Sequence, residues 1–423
     1  MSISAASQQQ LQNQPLQRQY YIDWIRVIAF WVLIMVHSAI PFVPFGMPLI
    51  QNEETSSVLS ILLYFLHEFR LEALFLVSGV GTYFALRKVN GTGFLAERLK
   101  RLMLPTVFAC ITLMPLMVFF EKMHMGEFSG TFFEFYPQFF SNGSYPRGNF
   151  SWGQMWFVVY LFVFCVVSLP LLLALKSQSA KRLLARLQTK LSRGWGIYLY
   201  ILPMLGLELA LRKHFPGARD LIHDWASASQ WLLYFIAGYI LISAPRLLDR
   251  IETIRHHSIT IAIVCSGLLL VLRNLQQLGL MDPLVQLSES MNYIVISVIK
   301  VTNAWCWVLA ILGYGKKHLK SNSKLLQYCN QAVYPIFILH MTVSVALSYW
   351  IVEWSNEIGA WTKYGFVSLW TFVIIMGVYH FAIRPFNIMR ILFGLKPLQV
   401  KAEKVAEAEM INTNACSAIE AKG

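Results

Sequence analysis

The chain has 423 residues and a mass of 48.5 kDa; it is 56% hydrophobic, 14% aromatic and only 13% charged, with a mean hydropathy of +0.52. A soluble protein carries about 25% charged residues, so half that proportion leaves too little polar surface for a water-exposed body of this size and implies an all-α polytopic membrane protein. The formal charge of +13 does not indicate nucleic-acid binding, because the Lys and Arg residues lie between apolar runs and form no basic face on a soluble element.

Residues 1–23 are a polar, Gln-rich tail in which Arg18 is the only base. They contain neither an apolar h-region nor a small-residue cleavage site, so no cleaved signal peptide is expected. A hydrocarbon core about 30 Å thick needs roughly 20 mostly apolar helical residues. Ten segments fit: 24–45, 60–86, 102–120, 154–175, 197–212, 229–244, 258–276, 291–312, 331–352 and 364–384. The transmembrane domain is placed at 24–390 and a polar C-terminal tail at 391–423. Of six cysteines, Cys110, Cys165, Cys265, Cys306, Cys329 and Cys416, none has a metal-ligand spacing; packing roles and no metal site are expected.

Every second loop is basic. Residues 87–101 hold Arg87, Lys88, Arg98, Lys100 and Arg101 against Glu97, residues 176–196 hold Lys and Arg with no acid, and Lys316, Lys317, Lys320 and Lys324 follow the eighth segment. The intervening loops carry Glu53 and Glu54, then Glu121, Glu127 and Glu134, then Asp282 and Glu289, then Glu353 and Glu357. Lys and Arg accumulate on the cytoplasmic side, so both termini are expected there. The loop of residues 121–153 is rich in Phe and Tyr, which suit either a sugar-stacking surface or the ordinary aromatic belt.

Charges at membrane depth cost at least about 2.5–3.5 kcal/mol on insertion scales and normally face a bundle interior or cavity. Arg26 and His37 are eleven residues apart in the first segment; eleven steps of 100° return to nearly the same helix face, about 16 Å further along. The second segment contains His67, Glu68, Arg70 and Glu72. On a continuous helix Glu68 and Glu72 share a face while Arg70 points elsewhere. His340 of the ninth segment falls near mid-membrane, and Trp156 opens the fourth near its outer boundary. Three histidines can therefore converge on one cavity, although a single intramembrane His also serves as an ordinary interhelical hydrogen bonder. Arg70 can equally act as a counter-ion to a Glu, and Arg273 and Lys300 near the outer ends are expected to snorkel.

At these residues the chain resembles the membrane-bound acyltransferase 3 family, and within it the glucans biosynthesis protein C branch. The resemblance spans roughly residues 20–390. It rests on Arg26 and His37 with ten residues between them, on His67, Arg70 and Ser78-Gly79, on Arg98, Arg101 and Pro105, on Trp156 in "MWFVVYL", and on His340 in "NQAVYPIFILH". It implies transfer of an acetyl or succinyl group from cytoplasmic acyl-CoA to a hydroxyl of an extracytoplasmic glycan, in a bacterial inner membrane, with no permanently bound cofactor. The resemblance implies His37 as general base or as an acyl-carrying nucleophile, and His67 or Arg70 orienting it or stabilising the oxyanion. It places Arg26, Arg98 and Arg101 on the phosphates of coenzyme A, with Trp156 and His340 supporting the substrates; Glu68 and Glu72, where the branch has uncharged residues, are expected to support them as well. The expected partners are acyl-CoA, the glycan acceptor and the bilayer, with no nucleic acid. A transporter of a glycan or acylated precursor is the rival reading, because buried charges also line transport pathways.

Overall fold

A computed structural model describes residues 19–44, 49–145, 147–217, 219–277, 289–354 and 358–398. Among these, regular structure is helical, and Ser144 and Phe150 form an isolated bridge. In chain order the helices are α1 (Tyr20–Ala39), α2 (Ser57–His67), α3 (Arg70–Leu86), α4 (Gly91–Arg98), α5 (Leu104–His124), α6 (Phe132–Ser141), α7 (Trp156–Ala174) and α8 (Gln178–Leu191). They continue with α9 (Ile201–Leu211), α10 (Trp225–Ser243), α11 (Pro245–Gln277), α12 (Glu289–His318), α13 (Lys324–Trp354), α14 (Ala360–Gly377) and α15 (Asn387–Leu392). The loop of Asp282 lies outside the described residues, as do Glu357, Cys416 and most of both tails. The protein is an all-α, multi-pass membrane protein.

The described parts of all ten apolar segments found in the sequence are mainly helical, but they differ in kind. Eight described helices or helix runs are individually long and apolar enough to span a membrane. The fifth segment is a short 3-10 turn leading into the 11-residue α9. Before it, the basic stretch taken as a loop in the sequence forms α8, which turns by 119° into the run that contains α9. Its periodic Leu residues and its four cations Lys181, Arg182, Arg186 and Lys190 make an amphipathic helix suited to the membrane interface.

The second segment departs most from expectation. It breaks between α2 and α3 at Glu68 and Phe69, where Phe69 has φ −145° and ψ −7°. Phe69 stacks on Trp307 of α12, with ring centroids 4.8 Å apart. Spacing along one helix therefore does not decide where the four ionisable side chains of this segment go.

The core of the bundle uses close backbone approach. A Cβ added at Gly79 of α3 would collide with the Phe235 carbonyl, and one at Gly238 of α10 with the Leu76 carbonyl. Small residues permit this contact, and dispersion and packing replace the hydrophobic drive that lipid does not provide. Neither collision can be relieved by a rotamer change, because backbone lies on the far side. Gly238→Leu is thus expected to destabilise the bundle by about 3 kcal/mol, at the upper end of overpacking costs. Thermal unfolding in detergent would show it as a lower midpoint, and an unchanged midpoint would refute the close approach.

At the end opposite the basic loops, Lys363 is buried and donates to Asn52 Oδ1 at 2.9 Å, while Glu54 accepts from the Ala360 N–H at 2.9 Å at the start of α14. These contacts pin residues 49–56 over the bundle. The aromatic loop folds as α6, with a Thr131–Glu134 capping box at its start. The Thr131 N–H beside it holds the Glu134 carboxyl below the usual range. Phe135 and Phe139 are buried, and Phe119 of α5 packs on Phe128, Phe132 and Phe135. Much of this aromatic series is internal packing, whereas Phe133 remains exposed.

Candidate active site

Three cavities contain the ionisable residues identified in the sequence except His340, so His37 and His67 line one cavity together but the third histidine does not join them. At the basic end, a cavity of about 460 Å³ is lined by Arg26, Lys88, Arg98, Arg101 and Glu97, and reaches inward to Phe30, Phe157 and Phe337. Arg26 is held to α13 through Asn330: its Nη1 donates to Asn330 Oδ1 at 3.5 Å, and Asn330 Nδ2 donates to Asp23 Oδ1 at 3.1 Å. Arg101 pairs with Glu97 at 3.1 Å, and the Arg98 guanidinium lies 5.0 Å from the Phe94 ring centroid. Pro335 lacks the N–H that would bond the Gln331 carbonyl, and Gln331 lines this same cavity. The result is a cationic mouth with polar backbone at its wall.

The three phenylalanines line its inner end. Phe337 meets Phe30 edge to face at 5.8 Å and Phe157 at 5.7 Å, and His340 also neighbours it, 5.7 Å away. His340 is fully buried on α13 and its Nδ1–H donates to the Phe337 carbonyl at 2.7 Å, leaving Nε2 without a partner among the described residues. Its ring lies 4.9 Å from that of His37. His37 makes the same kind of bond, Nδ1–H to the Leu33 carbonyl at 2.9 Å. A carbonyl can only accept, so this bond fixes the tautomer and leaves Nε2 as the basic nitrogen.

His37 lines a second cavity, of about 260 Å³, together with Tyr64, His67, Arg70, Arg219 and Arg273. No carboxylate is among its lining residues. Arg70 Nε and Nη1 are buried with no hydrogen-bond partner among the described residues. His67 differs from His37, since its Nε2 faces Arg219 Nη2 at 3.3 Å. Only the guanidinium can donate there, so the His67 lone pair is engaged.

A third cavity, of about 230 Å³, receives Glu68 and Glu72 along with Glu208, Asp224, Trp231 and Lys300. His67 and Arg219 line both this cavity and that of His37. Trp156 lines neither but carries Arg219, whose guanidinium sits 5.2 Å from its ring centroid. Arg273 and Lys300, expected to snorkel, instead line cavities; the Arg273 guanidinium lies 4.3 Å over the Tyr64 ring. A cavity wall offers these cations aromatic or anionic neighbours, which lipid does not.

Arg219 escaped the sequence reading. It lies between α9 and α10 with φ +56°, and Leu221 nearby has φ +67°. Such backbone is uncommon for non-Gly residues and persists where surrounding contacts impose it. Tyr160 provides them: its hydroxyl accepts from the Leu221 N–H at 3.1 Å and donates to Asp224 Oδ2 at 2.9 Å. Nothing in the local sequence marks this loop, since its Arg and Asp residues look like ordinary solvated polar groups. Gln154 also escaped notice, although its Nε2 donates to the Ile338 carbonyl at 2.8 Å and braces α13 two residues before His340.

The arrangement can hold an anion at the basic mouth, present an imidazole deeper in the bundle and place a guanidinium with two unpartnered nitrogens in the same chamber. None of the curated proteins and none of the solved structures matches the chain. The acyltransferase 3 family model, described as "Acyltransferase domain", matches residues 19–380. That match covers α1 through the start of the last apolar helix's final turn and includes every residue placed in the three cavities except a few at the basic mouth beyond residue 380. The chain therefore belongs to the acyltransferase 3 family and is a membrane-embedded acyltransferase.

Proposed function

We propose that the enzyme O-acylates an extracytoplasmic glycan with an acetyl or succinyl group drawn from cytoplasmic acyl-CoA. The observation that carries this reading is that α1 serves both chambers: Arg26 lines the basic cavity and His37 the opposite one, about 16 Å apart along the helix. The phosphates of coenzyme A bind at Arg26, Arg98 and Arg101, where guanidinium forks match phosphate oxygens. The pantetheine arm extends past Phe337 and brings its thioester to His37.

His37 Nε2 takes the proton of the acceptor hydroxyl as its oxygen attacks the thioester carbonyl. Arg70 stabilises the oxyanion of the tetrahedral intermediate. When the C–S bond breaks, the proton passes from His37 to the departing thiolate, so the products are the ester and free coenzyme A. His340 packs against His37 and keeps its ring in place. The Lys and Arg bias of the loops supports a cytoplasmic basic end and, with the resemblance noted above, an inner-membrane location.

The test is a sided assay. Protein is reconstituted in liposomes, radiolabelled acetyl-CoA or succinyl-CoA is supplied on one face, and glucose oligosaccharides are enclosed on the other. Labelled ester should accumulate only in the compartment that lacks acyl-CoA. Labelled ester confined to the donor side, or absent with both donors, would overturn the reading.

A further inference from the structure

We propose that the third cavity is the subsite for the acceptor and takes a neutral saccharide ring, held by Glu68, Glu72 and Asp224 beside Trp231. This proposal rests on the function proposed above and assigns the chemical class of its acceptor. Glu68 Oε2, Glu72 Oε2 and Asp224 Oδ1 are buried and have no hydrogen-bond partner among the described residues. Asp224 is 1% exposed, and its other oxygen is already bonded to Tyr160. Buried carboxylate oxygens need donors, and an occupant of the cavity these residues line can supply them.

The surrounding charges select the kind of occupant. Four carboxylates, Glu68, Glu72, Glu208 and Asp224, face three fixed cations, Arg212, Arg219 and Lys300. An anion would be repelled by the first group and a cation by the second. Among the described residues no cluster is arranged to hold a metal ion. A polyhydroxyl ring satisfies both sets, because each hydroxyl donates to a carboxylate and accepts from a cation.

The wall is prebuilt for such a ligand. Glu208 receives Arg212 Nε on Oε1 at 3.1 Å and Nη2 on Oε2 at 3.0 Å, and Gln230 Nε2 on Oε2 at 2.8 Å. Trp231 supplies aromatic surface and is itself fixed by stacking on Phe75 at 5.5 Å. This differs from the His37 chamber, whose lining contains three guanidiniums and no carboxylate. Since His67 and Arg219 form a wall shared by the two chambers, a ring seated in the third cavity can direct one hydroxyl toward His37.

The experiment compares wild type with Glu72→Gln and Asp224→Asn in proteoliposomes, using neutral glucose oligosaccharides and matched uronate-containing ones as acceptors. Hydrolysis of acyl-CoA without acceptor reports separately on the donor site. Wild type should favour the neutral series, and each variant should raise the acceptor KM at least tenfold while the donor KM moves less than twofold. Unchanged acceptor KM in both variants, or preference for the uronate series, would overturn the subsite while leaving acyl transfer intact. Wild type that neither hydrolyses acyl-CoA nor acylates either series would instead overturn the enzymatic reading beneath it. A variant that fails to fold is recognised by its lost donor hydrolysis and thermal transition, and the other variant then decides.

Discussion

His37→Ala is expected to lower the rate of acyl transfer by about 10³-fold, within the 10²–10⁴ that a positioned general base contributes, while the KM for acyl-CoA stays near its original value. In the proposed mechanism the donor's phosphates bind at the other end of α1, near Arg26, so donor binding and proton removal would depend on different residues of one helix. His37 is suited to the base role because its Nδ1–H is committed to the Leu33 carbonyl and its Nε2 is left in the chamber. His67 is not equivalent, since its Nε2 already accepts from Arg219. Steady-state kinetics on the purified variants would decide the matter. Transfer by His37→Ala within tenfold of wild type would remove His37 from the mechanism, and a larger loss in His67→Gln than in His37→Gln would reassign the base.

Arg70→Met is expected to reduce kcat by about 10²–10³-fold, the cost of losing one oxyanion donor, without loss of thermal stability. The two effects separate because Arg70 Nε and Nη1 are buried without hydrogen-bond partners among the described residues. An unpaired buried cation destabilises a fold, and a well-packed apolar side chain of similar length is often neutral or stabilising in its place. Arg70 is therefore retained at a cost in stability, as is common where activity needs a strained or unsatisfied group. Arg70→Lys keeps the charge but loses the planar fork, and should recover only part of the rate. If Arg70→Met instead unfolded the protein at lower temperature with kcat unchanged, Arg70 would be a structural counter-ion of Glu72.

Much of this arrangement was legible in the sequence because membrane chemistry leaves a strong imprint. Apolar runs of about 20 residues identify spans, and the isolated charges inside them, Arg26, His37, His67, Arg70 and His340, stand out against composition. Regular helical geometry was enough to place Arg26 and His37 on one stripe of α1. The same geometry did not extend through Glu68 and Phe69, where the helix breaks and distributes His67, Glu68, Arg70 and Glu72 over two cavities. The stacking of Phe69 on Trp307 involves a helix more than two hundred residues away, so local periodicity carries no sign of it.

Arg219 and Asp224 were hidden, and Arg273 was expected to snorkel, for a related reason. In a loop or at a helix end, a charged residue is what solvent would be expected to dictate, and its sequence context does not distinguish a solvated side chain from one folded into a cavity. Arg219 enters the site only because Tyr160 and Trp156 of α7 hold its loop over the bundle. By itself the sequence determined the class of protein, eight of the ten proposed spans and the first helix's Arg and His, because each follows from composition or from 3.6-residue periodicity. Only the tertiary structure decided which charges share a cavity, which histidines keep a free nitrogen and where guanidinium nitrogens are left without partners, because those depend on contacts between residues far apart in the chain.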